Sequence, residues 1–124
     1  RGENPLSVWG DGSAIRDFAF SRDVAKGIIL ALYYGTRGDF VNLGSGKGVT
    51  IKELLKELNQ FLDFNYEFDS TKSSGFSRRV MDICRAKDWI KYKPSISLQE
   101  GLKETWNWFQ EHKDEYLKRK NYFI

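Results

Sequence analysis

Extended stretches of a few residues alternate along this chain with amphipathic helical segments, and that order admits few architectures. Residues 5–9 and 15–20 read as strands, the second alternating Ile15, Asp17 and Ala19 with Arg16, Phe18 and Phe20. Ser21 is placed to cap a helix with Asp23 in its first turn, and Val24, Ile28, Ala31 and Leu32 make an apolar stripe that stops at Gly35. Phe40–Leu43 reads as a buried parallel strand, ended by glycines at 44, 46 and 48. Thr50 and Glu53 form a capping box for a helix carrying Ile51, Leu54, Leu55, Leu58 and Phe61. A strand at Asn65–Phe68 and a polar loop from Asp69 to Ser77 follow. A short helix over Asp82–Ile90 and a connection through Pro94 lead to a second capping box, Ser97 with Glu100. The helix it opens presents Leu98, Leu102, Trp106, Phe109 and Tyr116 to a core.

The order is that of a small α/β unit with few short strands and three to four helices, not a bundle or a sandwich. With 124 residues, of which 40% are hydrophobic and 15% aromatic, the chain can build a core. So few strands leave exposed sheet edges that other structure normally covers, so residues 1–124 are expected to be one domain of a larger protein. The single Cys84 excludes an intrachain disulfide, gives no support to a zinc site and fits a reducing cytoplasm; it reads as a small buried hydrophobe. No run is long enough for a membrane span, and the first residues lack a signal-peptide pattern, so no membrane partner is expected. The net charge of +3 mildly favours anionic ligands. Nucleic acid is not expected, because no recognition-helix or aromatic-studded basic motif is present. Lys118-Arg119-Lys120 reads as a solvated helix end.

The segment Val8–Asp23 carries the strongest functional signal. Gly10 and Gly12 flank Asp11 as a tight turn that would bring Trp9 and Arg16 together across a hairpin-like connection. An indole face suits a base, and a guanidinium fork suits a phosphate. Taken alone, the pair reads first as a core tryptophan and a solvated surface charge. Other chemistry is not legible. Gly44-Ser45-Gly46-Lys47-Gly48 lacks the spacing of a Walker loop or a dinucleotide fingerprint, and reads as a turn into a helix. His112 lies in a hydrophilic stretch and reads as surface, and Tyr116 with Lys120 matches Y-x-x-x-K only formally.

Taken in order, the turn at Gly10 and Gly12, Arg16-Asp17-Phe18, Asp23-Val24-Ala25, Asn42-Leu43-Gly44 and Thr50 to Leu54 form a collinear series. It continues through the loop from Phe68 to Gly75, Asp82, Pro94 and Ser97 to Leu102. This series resembles the NAD(P)-dependent epimerase/dehydratase family, the extended short-chain dehydrogenase/reductases. Within it, the tryptophan of V-W-G-x-G and the T-K-x-x-G loop are most similar to the reductases that epimerise GDP-4-keto-6-deoxymannose. The resemblance implies a C-terminal substrate-binding part of a Rossmann-type enzyme. Its dinucleotide-binding domain, NAD or NADP and the catalytic tyrosine and lysine would come from an N-terminal portion, and the parent would be a homodimer. No catalytic, cofactor-binding or metal-ligating residue is assigned to this chain. Substrate contacts are implied for Trp9, Arg16 and Arg79, with Arg78 able to substitute for Arg79. Ser74 stands where the family pattern is acidic, and Lys91 where a glycine is usual. A different class, a stand-alone anion-binding module without catalysis, competes with this reading.

Overall fold

The computed structural model describes residues 4–118. Among these residues, two small sheets and five helices alternate. β1 (Leu6–Trp9) pairs in parallel with β4 (Tyr66–Asp69). β2 (Ile15–Arg16) lies between β3 (Val49–Thr50), antiparallel to it, and β5 (Arg78–Arg79), parallel to it. The helices are α1 (Ser21–Tyr34), α2 (Ile51–Leu58), α3 (Cys84–Ile90), α4 (Leu98–Glu111) and α5 (Lys113–Lys118).

Local signals set most boundaries. Thr50 Oγ1 accepts from the Glu53 N–H at 3.1 Å while Glu53 reaches back to the Thr50 N–H at 2.7 Å, closing the capping box of α2. Ser97 Oγ accepts from the Glu100 N–H at the start of α4. Gly35, at φ 75°, ends α1. The N-cap of α1 is instead Phe20, without a side-chain cap bond, and Ser21 is the first helical residue. Lys91 caps α3 with φ 58°, the left-handed conformation in which a glycine is usual.

The core lies between α1 and α3. Ile83, Ala86, Ile90 and Tyr92 are buried, with Leu30, Ala31, Val41, Leu43 and Trp89 packed against them. Gly27 makes this contact possible: a Cβ there would stand 2.6 Å from a Leu43 methyl and 3.0 Å from the Tyr92 ring. Buried Asp23 fastens α1 to the start of α4 by accepting from the Ser95 and Ile96 N–H groups at 2.9 Å each and from the Ser95 hydroxyl at 3.2 Å. Burial alone would raise its pKa. The bonds from Ile96 and Ser95 outweigh burial and hold the carboxyl below the ordinary aspartate range.

Several expectations are corrected. Phe40–Leu43 forms no strand, because no strand lies beside it among the described residues, and Phe40 is two-thirds exposed. The buried face of α1 runs through Asp23, Gly27, Leu30 and Ala31, which turns Ile28 and Leu32 outward; Leu32 is 83% exposed. Cys84 is exposed, since Ile83, Ala86 and Ile90 occupy the inner face of α3. Its thiol is pushed above the ordinary range by hydrogen bonding to Asp82 and then by that carboxylate's charge. His112 is half-buried, stacked on Trp108 at 4.6 Å, and there α4 gives way to α5. Five helices therefore stand among the described residues, where three to four were expected. The side chain of Tyr116 and residues 119–124, with Arg119 and Lys120, lie outside the described residues.

Candidate functional site

Gly10 and Gly12 adopt φ 84° and 76°, as a tight turn requires. Asp11 closes it by accepting from the Ser13 hydroxyl and N–H, bonds that lower its pKa in that order. The turn joins strands of two different sheets, so β1 and β2 form no hairpin. Trp9 ends β1 opposite Asp69 and is 67% exposed. The hairpin-like approach of Trp9 to Arg16 is therefore not formed. The link between them runs through Gly10, whose Cα packs on Ser74 so closely that a Cβ would come within 2.6 Å of the Ser74 Cβ.

Pairing of β2 with β5 sets Ile15 opposite Arg78 and Arg16 opposite Arg79. Register partners in parallel strands share a face, so Arg16 and Arg79 stand on one side and Ile15 and Arg78 on the other. Arg78 lies against Gly48 there, 3.2 Å from where a Cβ would sit. An open pocket of about 750 Å³ is lined by Arg16, Asp17, Arg78, Arg79, Val80 and Met81. Three arginines against the one carboxylate of Asp17 leave the pocket lining electropositive, and guanidinium forks suit the oxygens of phosphate or carboxylate ligands.

Arg16 is also tied to the polar loop. Its Nη1 donates to the carbonyls of Ile15 (2.8 Å) and Phe76 (2.7 Å), and Nη2 to that of Ser74 (3.0 Å). The Ser74 backbone therefore meets Arg16 while its side chain meets Gly10. The Arg79 guanidinium lies 5.1 Å over the ring of Phe76, itself 69% exposed.

Sequence reasoning missed two contributors. Asp17 accepts from the Ser45 N–H at 2.8 Å, the Ser45 hydroxyl at 2.5 Å, the Gly46 N–H at 3.0 Å and the Met81 N–H at 3.2 Å. One carboxylate thus binds β2, the glycine turn and the strand end carrying Arg79 into a single frame. An aspartate next to an arginine, in a chain with a glycine-rich turn offering N–H groups, is the signal that could have found it. The second is Phe76, a bulky exposed ring in an otherwise small, polar loop.

Three N–H groups of the glycine turn are engaged within the chain. The N–H groups of Ser45 and Gly46 point to Asp17, and that of Lys47 to Ser45 Oγ at 3.1 Å. No group of three or more His, Cys, Asp or Glu that could hold a metal occurs among the described residues. No helix among them is long and apolar enough to cross a membrane.

Residues 1–44 match the NAD dependent epimerase/dehydratase family. A probable GDP-L-fucose synthase of Oryza sativa subsp. japonica is 36% identical over 107 residues, 85% of this chain and 32% of that protein. A putative UDP-glucose 4-epimerase of Methanocaldococcus jannaschii is 32% identical over 112 residues, 89% of this chain and 35% of that one. The chain thus spans about a third of the length of the curated relatives it matches. An epimerase structure from Methanothermobacter thermautotrophicus superposes with a TM-score of 0.80 at 28% identity, over 93% of this chain and 35% of that one. The UDP-glucose 4-epimerase of Thermotoga maritima, solved with UDP-glucose, gives 0.75 at 29% identity over 90% and 36%. The fold is the α/β fold of a part of these epimerases.

Proposed function

We propose that this chain is the C-terminal, substrate-binding part of an NAD(P)-dependent nucleotide-sugar epimerase or reductase, of the kind that GDP-L-fucose synthase represents. The observation that carries the reading is the β2–β5 register, with Arg16 and Arg79 as partners on one face of one pocket. Two guanidinium groups so held suit the two phosphates of a nucleoside diphosphate sugar. Trp9 supplies an exposed indole next to the Gly10–Ser74 contact for the base, and Ser74 and Phe76 form the loop beside it. Arg78, on the opposite strand face but at the pocket edge, is the reserve cation.

In this reading the chemistry belongs to an N-terminal dinucleotide-binding domain holding NAD or NADP, in a cytoplasmic, homodimeric parent. Ile29, Leu32, Tyr33 and Phe40 are each at least 65% exposed, and the extended segment 40–43 has no strand beside it among the described residues. An apolar helix face next to an unpaired extended segment is what a docked sheet would cover. That coverage is the support for a missing partner domain.

The test is calorimetric titration of GDP and UDP into the chain and its Arg79→Ala variant. Losing a charge-assisted contact costs about 1.5–3 kcal/mol, so binding should weaken by roughly 10- to 150-fold. Unchanged affinity for both nucleotides would remove Arg79 from the site. A preference for UDP would move the assignment to the UDP-sugar 4-epimerases, which are also among the similar proteins. Binding of inorganic anions with no nucleotide preference would favour the stand-alone module.

A further inference from the structure

The Asp69–Ser77 loop is exposed from Ser70 onward, and its own bonds are short in range. Asp69 holds Thr71 through its side chain, and the Ser73 hydroxyl accepts from the Gly75 N–H at 3.1 Å. What ties its distal half to the body is the Gly10–Ser74 packing, the bond from the Ile15 N–H to the Ser77 carbonyl, the Arg79 guanidinium over the Phe76 ring, and Arg16. A loop with so few buried contacts opens at low cost unless such tethers hold.

A guanidinium carries five N–H donors. Arg16 spends three of them, two on the loop carbonyls of Ser74 and Phe76 and one on its own strand. Nε–H and the second hydrogen of Nη2 have no acceptor among the described residues, and Arg16 also lines the open pocket shared with Arg78 and Arg79. We infer that Arg16 works in two directions: it holds the Ser74–Phe76 loop with one set of donors and takes a ligand phosphate with the other, so that phosphate occupancy and loop order are coupled. The inference rests on the phosphate-site reading above. A guanidinium already immobilised by phosphate loses less freedom on binding the two carbonyls, and the reverse holds equally, so each partner strengthens the other. The loop so ordered carries Ser74 and Phe76, which makes Arg16 a positioning residue for that loop as well as a ligand contact.

Hydrogen exchange of the 74–77 amides, with inorganic pyrophosphate as probe, separates the outcomes. Saturating pyrophosphate should slow these amides at least threefold in the wild-type chain. Arg16→Lys keeps the charge but lacks the planar fork; its loop should exchange at least fivefold faster without ligand, and pyrophosphate should no longer slow it. Amides of α2 and α3 serve as the internal standard for intact folding. If they lose protection in R16K, Gly75→Ala gives the reciprocal test. It strains the loop at φ 70°, its Cβ meeting Arg16 Nη2 only at an ordinary van der Waals distance of 3.7 Å, and should weaken pyrophosphate at least threefold. Wild-type loop exchange unmoved by bound pyrophosphate, an R16K loop as protected as wild type, or unchanged pyrophosphate affinity in G75A would each overturn the coupling. A wild-type chain that binds no pyrophosphate would overturn the phosphate site itself, and the coupling with it.

Discussion

Asp23 is the buried charge on which the junction between α1 and α4 depends, and removing it has a calculable cost. The side chain is 1% exposed and takes three hydrogen bonds from Ser95 and Ile96. In Asp23→Asn the amide oxygen can still accept the two N–H bonds, and the Ser95 hydroxyl can turn to accept from the new amide. What is lost is the charge assistance, offset in part by cheaper burial, for a net cost of about 1–2 kcal/mol. Asp23→Ala leaves the two N–H groups without an acceptor and should cost about 3–4 kcal/mol. Because the folded pKa is lowered, Asp23 contributes its full stability above the unfolded value, near 3.8, and loses it as pH falls through the folded value. Urea midpoints measured from pH 7 down to pH 3 should therefore show the gap between wild type and D23N narrowing only below about pH 4. A D23A penalty under about 1 kcal/mol, or a D23N gap constant across that range, would refute the reasoning.

Lys91→Gly should stabilise the protein by about 1 kcal/mol, since an L-residue at φ 58° carries a left-handed penalty that exceeds the entropic cost of glycine. The loss of the exposed bond from Lys91 Nζ to the Asp88 carbonyl should be negligible, and a lowered urea midpoint would contradict this. Gly12→Ala should destabilise by about 2–4 kcal/mol, combining a left-handed backbone with overpacking. Its Cβ would stand 2.4 Å from the Phe68 ring and 2.8 Å from the Lys52 side chain. An unfolding free energy within about 1 kcal/mol of wild type would show that Phe68 moves aside freely.

Features written in local physics were legible in the sequence. The Thr50–Glu53 box needs only residues three apart, and the Gly10 and Gly12 turn needs only backbone sterics. Features that depend on what lies opposite were not. The stripe chosen for α1 is apolar on more than one side, and nothing local says which side meets Leu43 and Tyr92. Segment 40–43 has the composition of a strand but no strand to pair with among the described residues. β3 and β5 are two residues each, below any periodicity. At the site, Arg16 and Arg79 are legible as cations, but their pairing is a fact of register. The other role of Arg16 was silent because its acceptors are main-chain carbonyls, which every residue possesses.

The four bonds gathered by Asp17 restrict how this region can be remodelled. The turn at Ser45 and Gly46 and the backbone at Met81 share one acceptor at the end of β2, so a loop transplanted from a relative into positions 69–81 would inherit a seat shaped by residues 44–46. Exchanging ligand preference between such proteins would then require moving both segments together as one cassette, with the aspartate kept as the common anchor.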